Sequence, residues 1–299
     1  MQVKKSIKTV LLAIAVMILW GSLFPCIKLG YKMFGIDTSN VAEILMFAGV
    51  RFLICGLVIT IIAFFRGESV NRDIKGSLLP LFIMGLFAVV LHYAFTYIGL
   101  TLTDSSKTAI LKQSGILIYI CFSSFFIKEE KFSKTKIIGA VIGFLGIIAI
   151  NSGIGGISFS IGDILIILAS VCTVVSNIAG KNTMKRNPVI ITTGLSQLFG
   201  GVVLVFTAII MGAGLSKNIV VGMPVFSYIC MASIASYCLW NHVIRTNELS
   251  KMFIIKFAEP VFACVFGAIL LGENILQLRY FAAFILISLG IVIGNKNKI

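Results

Sequence analysis

The amino-acid sequence predicts an all-α fold, a ten-transmembrane-helix bundle made of two inverted five-helix repeats. Three observations carry that prediction. The 299-residue chain is 59% hydrophobic and only 12% charged, with a mean hydropathy of +1.07, far outside the range of water-soluble domains. Apolar runs of about 20 residues, long enough to cross a hydrocarbon core of roughly 30 Å, recur ten times along the chain. The chain also aligns with itself, without a gap, when shifted by 144 positions.

In order, the apolar runs cover residues 7–29, 41–65, 77–99, 105–127, 134–151, 161–183, 190–213, 222–243, 249–271 and 277–294. Their connections are too short for a separate soluble domain. The longest, "NSGIGGISFSIGD", is rich in Gly and Ser and reads as a flexible surface loop. It is not a phosphate cradle, because no strand precedes it and no lysine follows in P-loop spacing. The opening "MQVKKSIKTVLLAIAVMILW" begins charged and turns apolar like a secretion signal, but its apolar part is too long and lacks a small-residue cleavage site. It is expected to be a retained first helix. All seven cysteines lie inside apolar runs with no CxxC and no His in metal spacing, so they read as small packing residues.

A net charge of +14 invites a nucleic-acid reading, but its distribution points to topology. With the N-terminus in the cytoplasm, sixteen Lys and Arg residues fall on the inside loops and ends, and four (Lys28, Lys32, Lys217, Arg279) on the outside. This is the positive-inside bias, with both termini cytoplasmic.

The self-alignment pairs residues 80–151 with 224–295 and gives 14 identities in 72 positions. The uncommon residues carry the weight: Pro80 meets Pro224, Tyr93 meets Tyr237, Ser106 and Lys107 meet Ser250 and Lys251, Lys112 meets Lys256, and Glu129 meets Glu273. The unit is five helices, an odd number, so the second copy lies inverted, with a site expected at the midplane between the halves. The expected units are residues 1–152 and 153–299. The first two helices do not align with the sixth and seventh at the same shift, so an insertion or deletion separates them.

Several stretches resemble the EamA-type branch of the drug/metabolite transporter superfamily: "WGSLFPCIK", "RFLICGLVI", "GD" opening the sixth helix, "SYCLWNHVIR", and the run from "EPVFACVFGAILLGEN" to "LGIVIGN". The resemblance implies a ten-helix bacterial inner-membrane carrier, with two inverted halves around a central cavity that moves small metabolites, often outward. The chain departs from the pattern where Ile116 stands opposite Pro260, which leaves a kink in the fourth helix open, and where lysines stand at 112 and 256.

Five basic residues remain inside the apolar runs. A lysine at mid-helix costs about 2.5–3.5 kcal/mol on insertion scales, so each needs a reason. Lys107 and Lys251 lie within a turn of a helix start and can snorkel to the interface. Arg51 reads as a structural hydrogen-bonding arginine. Lys112 and Lys256 lie six or seven residues in, about 10 Å at 1.5 Å per residue, and are expected to face a cavity and hold a dianion or two separated carboxylates. Against this, Lys256 has Glu259 three residues on as an ion-pair partner, and Lys112 has carbonyls or Gln113. Glu259, just before Pro260, is expected to be that ion-pair partner or to carry a coupling proton. Tyr93 and Tyr237 match across the repeat and are expected to line the cavity, as are His92, Asn241 and Trp20. Pro25 suggests a bend usable as a hinge. Gly139, Gly143 and Gly146 suit close helix contact, within the chain or across a dimer.

No catalytic residues, metal site or cofactor is expected, since two histidines without HExxH, GxSxG or clustered acids offer no enzyme chemistry. The expected function is secondary transport, as exporter or exchanger, of a small polar metabolite by alternating access. An anionic cargo (amino acid, carboxylate or phosphorylated compound) comes first. Export of cationic or neutral amines and drugs, or a non-transporting membrane subunit, are the alternatives. The expected partners are the substrate, the bilayer and protons or a counter-substrate, with no nucleic acid, in a monomer or homodimer.

Overall fold

A computed structural model describes residues 2–71, 73, 77–119, 134–153, 156–157, 159–214, 218–247, 252, 255–256, 258–275 and 277–295. Ser250, Lys251, Glu129 and Lys217, named above, lie outside the described residues, as does one of the seven cysteines, Cys121. The helices are α1 (Gln2–Phe34), α2 (Val41–Phe65), α3 (Leu79–Thr101), α4 (Ser105–Leu111), α5 (Lys134–Asn151), α6 (Ile161–Thr183), α7 (Val189–Ile210), α8 (Ile219–Thr246), α9 (Ala258–Leu271) and α10 (Leu278–Asn295). Among the described residues α1, α2, α3, α6, α7 and α8 are long and apolar enough to cross a membrane. The protein is therefore a multi-pass, all-helical membrane protein.

Local signals explain several boundaries. Asn40 accepts from Ala42 N to start α2. Ser160 and Asp163 form a reciprocal capping box that starts α6 and satisfies two backbone donors a helix end leaves free. Just before it, Ser152–Gly153 pairs antiparallel with Gly156–Ile157, so the connection expected as a plain loop contains a short two-strand turn. Pro25 sits within α1 and Pro224 within α8, and both helices continue through them. α3 carries a π-helical segment at Leu86–Leu91, directly before His92 and Tyr93.

The distribution of side chains is inverted relative to a soluble bundle. Large apolar groups such as Phe65, Val220 and Leu278 point outward at 82%, 85% and 83% exposure, while Arg51, Gln113 and Glu259 are buried. Only a hydrocarbon surround makes that arrangement favourable.

The helix contacts are pseudo-symmetric. α2 packs on α7 and α5 on α10, each helix against its counterpart in the other copy, while α1 against α8 matches α3 against α6. Small residues set these approaches. A Cβ on Gly56 would lie 2.2 Å from Leu198 N, and one on Gly201 2.3 Å from Leu53 N. Gly49 likewise meets Val205, and Gly194 meets Thr60. Gly49 with Gly194, and Gly56 with Gly201, are spaced one residue further apart than Tyr93 and Tyr237, so one inserted residue accounts for the lost alignment of the second and seventh helices. On α5, Gly139 and Gly143 receive Gly290 of α10, and Gly146 meets Ala283 and Ile287, so this glycine run is used within the chain. The six described cysteines are free thiols.

Because Gly201 meets backbone rather than a yielding side chain, Gly201→Val is expected to destabilise the protein by about 1–3 kcal/mol. Thermal unfolding in detergent checks it, with Gly214→Ala, where an added methyl meets open space, leaving the transition unmoved.

Candidate functional site

Between the two copies lies a cavity of about 70 Å³. It is lined by α1, α2, α3, α6, α7, α8, the start of α9 and the segment after α4. Trp20, His92, Tyr93, Lys112, Tyr237, Asn241, Lys256 and Glu259 all line it. His242, one residue past Asn241, is exposed and lies outside it.

The two copies meet at Tyr93 and Tyr237, whose hydroxyls hydrogen-bond to each other across the repeat interval of 144 residues. Around them Phe52 packs on Tyr93 at 4.3 Å between ring centroids and on Tyr237 at 6.2 Å. Trp20 contacts Tyr237 at 5.7 Å and Trp240 at 5.1 Å. Trp240 Nε1 donates to Asn177 Oδ1 at 2.8 Å, and Asn241 Nδ2 to Thr193 Oγ1 at 2.8 Å, which fixes both side chains.

Lys112 sits where α4 is interrupted. The backbone turns at Lys112 and Gln113, helix resumes over 114–119, and Gln113 N and Ile116 N bond three residues back to Ile110 O and Gln113 O at 2.9 Å. The break expected of a proline thus occurs without one, and it delivers the ammonium to the cavity. There Lys112 Nζ lies 3.3 Å from His92 Nε2 and 4.9 Å from the centroid of Phe24. His92 Nδ1 lies 2.8 Å from Ala169 O, so it carries the ring proton, and Nε2 presents a lone pair to Lys112. His92 is accordingly neutral. A carbonyl acceptor and a lysine donor fix the tautomer.

Lys256 does not pair with Glu259 as the i,i+3 spacing suggested. Among the described residues the ion pairs are Arg66–Glu68, Lys107–Asp163 and Arg186–Asp73. Lys256 Nζ lies instead 5.3 Å from the Trp20 ring centroid, and Glu259 Oε2 is buried without a hydrogen-bond partner. Gly21 of α1 brings its backbone onto Glu259 O, Phe262 and Ala263, so α1 packs tightly along this face of α9. Lys107, near the start of α4, pairs with buried Asp163 in the first turn of α6 at 3.0 Å.

Arg51 is fully buried and also lines the cavity. Its Nε and Nη2 donate to Ser233 Oγ at 2.9 and 2.6 Å, and Nη1 donates to Tyr97. The guanidinium carbon lies 4.7 Å from the Phe52 centroid and 5.3 Å from that of Tyr93. With Lys112 and Lys256 it makes three cations against one carboxylate among the lining residues.

Sequence reasoning missed the polar stripe on α6 and α7. Thr173, Ser176 and Asn177, and Thr193, Ser196 and Gln197, recur at i, i+3 and i+4 on otherwise apolar helices, which is the signal for one polar helix face.

The two ends of the bundle differ. At the end holding the α1–α2 and α3–α4 connections, Tyr31, Phe34, Phe47 and Phe226 pack edge to face at 5.3–5.7 Å. The α3–α4 connection is held there by Lys28 on Thr103 O at 2.7 Å, Glu273 on Ser105 N at 2.9 Å and Tyr280 on Asp104 at 3.4 Å. Toward the opposite end, the last turns of α6 and α8 and the first turns of α7 and α9 present the polar lining.

An all-helical bundle with lipid-length apolar helices and a polar cavity between two pseudo-symmetric copies is the architecture of a membrane carrier. The chain belongs to the EamA-like transporter family, which it matches over residues 7–152 and 160–295. It is 26% identical over 295 residues to an uncharacterized transporter of Archaeoglobus fulgidus, covering 97% of this chain and 99% of that one. It is 27% identical over 293 residues to the uncharacterized inner membrane transporter YedA of Escherichia coli K12, covering 92% and 89%. A crystal structure with 18% sequence identity superposes with a TM-score of 0.68 over 96% of this chain and 98% of its own, a likeness of fold.

Two substitutions separate the buried network from the inter-copy bond. Ser233→Ala strips a charged group of its acceptor and is expected to cost about 1.5–3 kcal/mol, while Tyr93→Phe removes one neutral bond worth about 0.5–1.5 kcal/mol. Melting temperatures in one detergent check the order.

Proposed function

We propose that the chain is a secondary transporter of the bacterial inner membrane that carries a small organic anion by alternating access, as exporter or exchanger. In this reading the ten helices are ten crossings, residues 1–152 and 153–299 are the inverted copies, and both termini are cytoplasmic. The charge asymmetry of the loops supports that orientation.

The observation that carries the proposal is the cavity's charge. Arg51, Lys112 and Lys256 face it with Glu259 alone in opposition, and His92 is neutral by its bonding, which leaves two positive charges in excess. Inside hydrocarbon such an excess is favourable only with an anion or water present. Lys112 and Lys256 enter on helices running in from opposite ends, so a dianion spanning them touches both copies. Trp20, Trp240 and Tyr237 give it an apolar wall. Rocking one copy on the other about the Tyr93–Tyr237 contact would exchange the aromatic closure at one end for the polar opening at the other.

A cationic or neutral amine is the second reading. The buried Glu259 Oε2 lacks a partner, and rings nearby would accept a cation face-on.

Binding of labelled succinate and of a labelled primary amine to the purified protein decides between them. Lys112→Met is expected to weaken succinate at least tenfold without lowering yield. Glu259→Gln, which removes the opposing charge, is expected to tighten succinate severalfold. The reverse pattern, with the amine lost in Glu259→Gln, would establish the second reading.

A further inference from the structure

Three polar groups of the cavity wall are buried and unsatisfied. Both amide atoms of Gln197, at 2% exposure, have no hydrogen-bond partner, nor does the Thr96 hydroxyl at 1%, nor Trp20 Nε1. All three residues line the cavity. A buried amide or hydroxyl is unfavourable unless a ligand or water meets it, so these groups call for a polar occupant of the cavity.

The repeat shows that packing does not require them. With the one-residue insertion read from the glycine pairs, Gln197 stands where the first copy has Phe52, and at the unshifted interval Thr96 stands where the second copy has Trp240. Both counterparts are aromatic and pack against other rings, and Trp240 also donates to Asn177. The chain therefore places hydrogen-bonding groups at two positions whose symmetry mates are rings.

We propose that Gln197, Thr96 and Trp20 Nε1 form a neutral subsite beside the cationic one, and that it takes an uncharged group of the cargo that both donates and accepts, a hydroxyl or an amide. Gln197 offers an acceptor and a donor side by side, Thr96 either role, and Trp20 a donor. A hydroxylated anion satisfies them together, whereas a plain aliphatic anion leaves them unpaired. A site built to hydrogen-bond a hydroxyl rejects the analogue that lacks it. The inference names the cargo more closely and rests on the anionic reading above.

The test compares ligands that share charge and length and differ in hydroxyls. Succinate and tartrate form one pair, and propylamine and 3-aminopropanol the other, with dissociation constants measured on the purified full chain. The wild type is expected to bind tartrate at least tenfold tighter than succinate. In Gln197→Leu and Thr96→Val the ratio is expected to fall toward one as tartrate weakens, with the melting temperature equal or higher. If neither dicarboxylate binds but the amine pair shows a hydroxyl preference lost in Gln197→Leu, the anionic reading falls and the subsite stands. A ratio that neither substitution alters in either pair, or no binding by any of the four, overturns the subsite.

Discussion

Placing positive charge inside an apolar bundle is the constraint around which this protein is organised. Arg51 is fully buried, and its contacts are hydroxyls and aromatic faces. This solution works because a guanidinium is weakly hydrated and presents five donors in a plane. A lysine cannot be treated the same way, since an ammonium is compact and strongly hydrated. Lys112 accordingly reaches an imidazole lone pair and Lys256 a tryptophan face, both at the cavity wall. The exposed apolar side chains, the buried polar ones and the cavity itself are consequences of keeping these groups out of lipid.

The pseudo-symmetry supplies the frame and its defects supply the chemistry. Closely packed glycines bring α2 onto α7 and α5 onto α10, so the two copies share a close seam. At that seam Tyr93 meets its own counterpart. Away from it the copies diverge: His92 corresponds to Ser236, Tyr97 to Asn241 and Gly115 to Glu259. A symmetric pair of lysines therefore sits in two unlike surroundings, one beside His92 and Phe24, the other beside Trp20. The interruption of α4 at Lys112, without the proline of the second copy, is another such difference.

Much of this was legible in the sequence because membrane helices are read from length and hydropathy, which are local properties. The residues gathered at the cavity were legible for a related reason. An ionisable or polar group in an apolar run is expensive, so its presence marks a place where something compensates. Lys107 shows where that reasoning stops: a position near a helix start does not reveal that Asp163, on a helix more than fifty residues later, is its partner. The polar stripe on α6 and α7 was passed over because serine, threonine and glutamine are cheap enough individually to draw no notice.

By itself the sequence determined that the chain is an all-helical membrane protein with a repeated half, and which side chains could not be left in lipid. Burial cost and the shift that aligns the chain with itself are sufficient for that. Only the tertiary structure decided which partner each charged group finds: Arg51 with Ser233 and Tyr97, Lys112 with His92, Lys256 with Trp20 and not Glu259. Those partners stand on helices far apart in the chain, and which of them meet is decided only when the helices pack, with glycines meeting backbone at the closest approaches.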